Sequence, residues 1–165
     1  MPRPRKRPSL SALSTTELHH TGITVSNLER SIAFYRDVIG MQVVMRQEKR
    51  GGYLGRITGY PNAYVRMAQL ELPGGGHRLE IFEYVEPKGE TKAANPCDVG
   101  ITHTCFVVSD LGAVYDRLQS AGVACTSAPV EIDTGANRGG VGLYARDPDG
   151  AVIEFFQAPQ RTPES

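Results

Sequence analysis

The sequence has no surplus of charge, no thiolate pattern and no long apolar run. Lysine plus arginine and aspartate plus glutamate number 18 each, so no global field of one sign favours nucleic acid or an anionic membrane as a partner. Its three cysteines, Cys97, Cys105 and Cys125, are odd in number and lack Cys-x-x-Cys spacing. That argues against a disulfide framework or a thiolate zinc site and suggests a reducing, cytoplasmic compartment. No apolar stretch is long enough to span a membrane, and none of signal-peptide length follows the N-terminus. The glycine run Gly74-Gly-Gly76 sits in a hairpin turn rather than between a strand and a helix, so it is no phosphate loop. No nucleophile elbow announces Ser-His-Asp chemistry.

What is present fits one soluble globular domain. The chain has 165 residues, 40% apolar and 22% charged, long enough to bury a real core. Residues 1–17 are rich in Pro, Ser, Thr and Arg, and Met1–Arg7 alone holds four of the 18 basic groups; this reads as a solvated tail. Residues 159–165 form a second tail. Between them, residues 18–158 read as one domain of two modules, 18–86 and 100–158, with a Pro- and Gly-containing linker over 87–99.

The patterning predicts strand–helix–strand–strand–strand, twice. In the first module the strands fall at 18–25, 41–45, 64–72 and 77–85. Its helix covers 27–39, with Ser26 or Asn27 as cap and Gly40 as terminator. Residues 47–63, with four glycines, are an irregular excursion of the kind that forms a lid. In the second module the strands are expected at 100–108, 123–126, 141–146 and 151–157. The helix covers 111–121, and 127–139 is irregular. The sequence itself repeats. His20-Thr-Gly-Ile-Thr-Val-Ser-Asn-Leu28 matches His103-Thr-Cys-Phe-Val-Val-Ser-Asp-Leu111, and Leu79-Glu-Ile-Phe82 matches Ile153-Glu-Phe-Phe156.

Each module therefore contributes one histidine near its first strand and one glutamate inside its last. A charged glutamate among strand apolar residues is costly unless paired or metal-bound. Duplication would bring His20, Glu80, His103 and Glu154 together about a pseudo-twofold axis. Imidazole and carboxylate suit zinc, nickel, cobalt, iron or manganese. Strand alternation puts Glu80 and Phe82 on one face and Leu79, Ile81 and Glu83 on the other. By the same rule His19 and His77 point away from the ligands. In the excursion, Lys49, Arg50, Tyr53, Arg56 and Tyr60 are candidates for an anionic substrate tail, with Arg138 a further candidate in the second module.

These motifs, His20 to Tyr35, Gly40-Met41, His103 to Leu111, and Asp147-Pro-Asp-Gly-Ala-Val-Ile-Glu154, resemble the vicinal oxygen chelate superfamily over about residues 18–158. That superfamily includes glyoxalase I, methylmalonyl-CoA epimerase, extradiol dioxygenases, and fosfomycin and bleomycin resistance proteins. The resemblance implies an α+β fold of paired βαβββ modules whose mixed sheet curls around a divalent metal. It also implies a small-molecule substrate whose enediolate or enolate the metal stabilises, and frequent homodimers. His20, Glu80, His103 and Glu154 fall on the four ligand positions of bacterial-type glyoxalase I, while the epimerase usually carries Gln at position 80. By similarity Glu154 is the base, with Glu80 as the alternative. The alternatives are an iron(II) extradiol dioxygenase, which would not use position 80 as a ligand, and a non-catalytic drug- or metabolite-binding protein.

Overall fold

The computed structural model describes residues 17–92 and 95–160; the basic tail before Glu17 and the last five residues lie outside them. The element order is β1 (His20–Thr24), α1 (Leu28–Ala33) with a π-helical continuation over Phe34–Ile39, β2 (Gln42–Arg50), α2 (Gly52–Thr58), β3 (Tyr64–Glu71) and β4 (Arg78–Glu86). The second half holds β5 (Thr104–Val107), α3 (Leu111–Ser120), β6 (Val130–Glu131), β7 (Val141–Arg146) and β8 (Val152–Gln157). These strands build two four-stranded sheets, ordered β1-β4-β3-β2 and β5-β8-β7-β6. In each, the first strand of the module pairs parallel to the last and the remaining pairs are antiparallel. This is the duplicated α+β βαβββ architecture expected from the repeat.

Both modules start their helix in the same way. Asn27 Oδ1 accepts from Arg30 N, and Asp110 Oδ1 accepts from Ala113 N. Each side chain supplies an acceptor for an N–H that the helix itself leaves unpaired. A second cap comes from the last strand. Glu83 accepts from Leu28 N at 3.0 Å, and Gln157 accepts from Leu111 N at 2.7 Å. Gly40 ends the first helix in the left-handed region at φ 94°, where a side chain would be strained.

Three sequence expectations need correction. β2 continues to Arg50 rather than ending near 45, because β3 pairs with it along its whole length. The excursion is not wholly irregular either: after β2 it folds into α2, and Gly55 lies so close to Pro61 that an added Cβ would sit 2.6 Å from its carbonyl oxygen. In the second module, residues 123–126 form no strand but only a bridge from Cys125 to Ala145, and the edge strand is the short Val130–Glu131.

One core joins the modules. Leu28, Ile32, Tyr35, Leu70 and Ile81 from the first pack with Phe106, Leu111, Leu118, Leu143 and Phe155 from the second. All the strand residues in this cluster point to the helix-bearing face of their sheet, opposite in parity to Glu80 and Glu154. Full burial of each such aliphatic or aromatic side chain contributes roughly 1.5–3 kcal/mol. Polar contacts lock the junction. Asp147 opens the turn before β8 and accepts from Asp149 N and Ala151 N through Oδ1, while Oδ2 accepts from the buried Tyr35 hydroxyl at 3.2 Å. Asp149 accepts from Ser26 N and Ser26 Oγ and pairs with Arg30.

Burial raises the Asp147 carboxyl above the usual aspartate range, against the lowering pull of its N–H donors. Desolvation, followed by the Asp147 charge, pushes the Tyr35 phenol far upward. A carboxyl whose folded pKa is raised favours folding below its unfolded value and loses that contribution as pH rises through the folded value. Asp147→Asn keeps the Oδ1 acceptor and removes the ionisation. Urea denaturation should therefore show wild type losing stability relative to Asp147→Asn as pH rises from the ordinary aspartate range. Asp147→Ala, which strands the Tyr35 hydroxyl and two N–H groups, should cost about 1–3 kcal/mol. Equal stability for Asp147→Ala and wild type would contradict the latch.

Candidate metal centre

The faces left outside the shared core carry the histidines and glutamates. In the first sheet the parallel register sets Gly22 opposite Glu80 and His20 opposite Arg78. The His20 ring then leans diagonally onto Glu80, with Nε2 3.1 Å from Oε2. In the second sheet Cys105 is opposite Glu154, and His103, just before the strand, places Nε2 2.9 Å from Glu154 Oε2. Glycine 22 and Cys105 are matched positions of the repeat, as are Glu80 and Glu154.

The donor sets fit a borderline divalent ion. Adjacent ligands at about 2.1 Å from one metal, at right angles, lie about 3.0 Å apart, and both His–Glu separations match that spacing. The same pair recurs at equivalent positions of the two modules. Within one chain, however, the four residues are not gathered into a single cluster. Among the described residues no group of three or more His, Cys, Asp or Glu side chains is placed to hold a metal ion. The single pseudo-twofold site expected from the repeat is thus present in the chain as two separate His–Glu pairs. The cause is the core, which fuses the helix-bearing faces and leaves the other faces apart.

Surroundings differ between the pairs. Glu80 is buried and accepts from Gln69 Nε2 at 2.7 Å. Gln69 Oε1 in turn accepts from Arg78 Nη1, and Arg78 pairs with Glu71. Glu154 lies beside an open cavity of about 300 Å³ lined by Tyr144, Val130 and Ile132. Its neighbours are the Cys105 thiol, pushed up to about 11 by burial and then by the glutamate charge, and the Tyr144 ring, which stands 5.2 Å from His103. Neither Gln69 nor Arg78 stood out in the sequence. The only signal was parity: both share the Glu80 face.

The other candidates are dispersed. Glu83 faces away from Glu80 as expected, on the helix side, where it is bonded to Leu28 N and Arg66. His77 contacts Thr21 at 2.7 Å, away from Glu80. His19 does not point away from His20; the two Nδ1 atoms are 2.8 Å apart, because β1 begins only at His20 and strand alternation does not reach His19. Arg50 stacks over Tyr64 at 3.7 Å, in the Glu48–Arg66 cluster on the helix-bearing face. Tyr53 and Arg56 are exposed on α2, whose Leu54 packs against Phe82 and Tyr84 on the Glu80 face. Tyr60 meets Tyr84 edge-on. Lys49 shares the alternation of the Glu80 face on β2, and Arg138 is exposed in the turn before β7.

A duplicated βαβββ chain with a His–Glu pair on the open face of each sheet has the architecture of the glyoxalase fold. The chain belongs to the Glyoxalase/Bleomycin resistance protein/Dioxygenase superfamily, whose model matches residues 17–155. It is 29% identical over 150 residues to a 2-epi-5-epi-valiolone epimerase of Actinomyces sp, covering 88% of this chain and 81% of the relative. It is also 29% identical over 141 residues to the lactoylglutathione lyase of Haemophilus influenzae, covering 86% and 92%. Among solved structures, a glyoxalase family protein from Bacillus cereus superposes with a TM-score of 0.76 at 23% identity, covering 90% of this chain and all of that one; that likeness establishes the fold. No helix among the described residues is long and apolar enough to cross a membrane.

The parity assignment is testable through Glu83. Glu83→Ala should lower stability by about 1 kcal/mol in urea denaturation, as loss of a helix-start acceptor does, yet leave divalent-metal affinity as in wild type. Weakened metal binding in this variant would place Glu83 on the wrong face.

Proposed function

We propose that this chain is a divalent-metal-dependent lyase or isomerase that moves a proton next to a carbonyl, and that two chains together complete each site. The observation that carries this reading is the duplicated His–Glu pair, one on the open face of each sheet. His20 and Glu80 of one chain would meet His103 and Glu154 of a second, giving two nitrogen and two oxygen ligands. Nickel, cobalt, zinc, manganese and iron(II) all accept such a set. When bound, the metal supplies a Lewis acid for the substrate oxygens. The relatives named as an epimerase and as a lactoylglutathione lyase support this class of chemistry.

Glu154 is the proposed base. It takes the proton from the carbon beside the carbonyl while the C–H electron pair moves toward the carbonyl oxygen, and returning the proton completes the isomerisation. The cavity beside it gives a small substrate room. Tyr53 and Arg56 on α2, with Arg138 from the second module, are proposed to meet the polar tail of the substrate. Arg50 would have to leave Tyr64 to join them.

Metal analysis of purified protein comes first, followed by turnover on the methylglyoxal–glutathione hemithioacetal, methylmalonyl-CoA and 2-epi-5-epi-valiolone, with and without chelator. Chelation should abolish turnover and metal should restore it. Shared sites are tested by complementation. His20→Ala/Glu80→Ala and His103→Ala/Glu154→Ala should each be inactive alone. Unfolded and refolded together, they should recover about a quarter of wild-type activity per chain, since half the dimers are mixed and each mixed dimer has one intact site of two. No recovery from the mixture would rule out sites shared between chains.

A further inference from the structure

The two carboxylates of the repeat occupy unlike settings. On the first sheet the side chains of Glu71, Arg78, Gln69, Glu80 and His20 form a continuous polar string. Arg78 Nε lies 3.3 Å from Glu71 Oε2, and Arg78 Nη1 donates to Gln69 Oε1 at 3.1 Å. Gln69 Nε2 donates to Glu80 Oε1 at 2.7 Å, and Glu80 Oε2 faces His20 Nε2 at 3.1 Å. An amide has one acceptor end and one donor end. With the guanidinium holding the oxygen, only the NH₂ can face the glutamate, so the orientation of Gln69 is set by charge. Gln69 is itself buried, at 8% exposure, and both ends of its amide are hydrogen-bonded. The string therefore fixes one oxygen of Glu80 and directs the other to the histidine.

Among the described residues the second sheet has no such string. The strand partner of Glu80 is Gln69, but the partner of Glu154 is Tyr144. Val152 occupies the place of Arg78, and Arg146, which donates to Gly150 O, occupies that of Glu71. The Glu154 side chain is 24% exposed against 8% for Glu80; among the described residues its partners are His103 and the weakly donating Cys105 thiol, with no amide to clamp it.

Resting on the metal-site reading above, we propose that Gln69, oriented by Arg78, is a positioning residue that locks Glu80 as a permanent ligand and leaves Glu154 as the carboxylate free to detach. Two equivalent carboxylates would compete for the role of base. The clamp removes that degeneracy, because a glutamate held through one oxygen by an amide cannot swing away without breaking a buried hydrogen bond. Partners that orient a ligand in this way typically contribute 10–100-fold to metal affinity.

The test is a competitive cobalt(II) titration of the full chain, read by the visible absorption of the bound ion. Gln69→Leu, which keeps the bulk and loses the amide, should bind cobalt about 10–100-fold more weakly than wild type. Arg78→Met should weaken binding in the same direction, and the double variant should be no worse than Gln69→Leu alone, because both act through one string. Tyr144→Phe should leave affinity and spectrum unchanged. Circular dichroism of each metal-free variant checks folding; where Gln69→Leu does not fold, Arg78→Met carries the comparison. Wild type that binds no cobalt overturns the metal reading and this inference with it. Wild type that binds cobalt while Gln69→Leu binds it equally well, with the same spectrum, overturns the positioning role alone. Fully additive losses for Gln69→Leu and Arg78→Met also overturn it.

Discussion

The parallel pairing of the first strand with the last in each module is the constraint on which the site depends. Antiparallel neighbours can be joined by a turn, but a parallel pair needs a long crossover, and here the helix and two further strands provide it. The pairing carries a histidine from one end of the module to a glutamate 60 residues on in the first case and 51 on in the second. It also presents Glu83 and Gln157 to the starts of the helices. Helix placement, face assignment and the His–Glu contact thus follow from one register.

Much of this was legible in the sequence, for specific reasons. Gly40 and Gly122 mark helix ends, and the repeated His-Thr and Asp-Leu or Asn-Leu segments mark equivalent strand–helix junctions. Alternation separated Glu83 from Glu80 correctly, because β4 is regular there. It failed for His19, which precedes its strand. The extension of β2 was missed because a charged, alternating strand resembles a loop until its partner is known. Gln69 and Arg78 were missed because an amide and a guanidinium on a strand look like ordinary surface residues; only the register that sets them beside Glu80 gives them meaning.

The relation between the halves is one of shared geometry and divergent chemistry. Backbone pairing, helix caps and the His–Glu spacing recur almost unchanged. The residues flanking each glutamate do not: Gly22 against Cys105, Gln69 against Tyr144, Arg78 against Val152. Positions that set the fold were kept in both copies, while those that set the environment of the carboxylate differ. A duplicated scaffold can in this way keep the same His–Glu pair twice and still give the two carboxylates different surroundings.

The chain between β4 and β5 joins two modules that already share a core, so their docking is intramolecular and proceeds at a fixed effective concentration however dilute the protein. Under the proposed pairing of chains, the meeting of the open faces has no such tether and obeys mass action. The fold and the active centre would then respond differently to dilution. At low protein concentration a population of intact, well-folded chains would hold only half-sites, and activity would rise more steeply than in proportion to the amount of protein present.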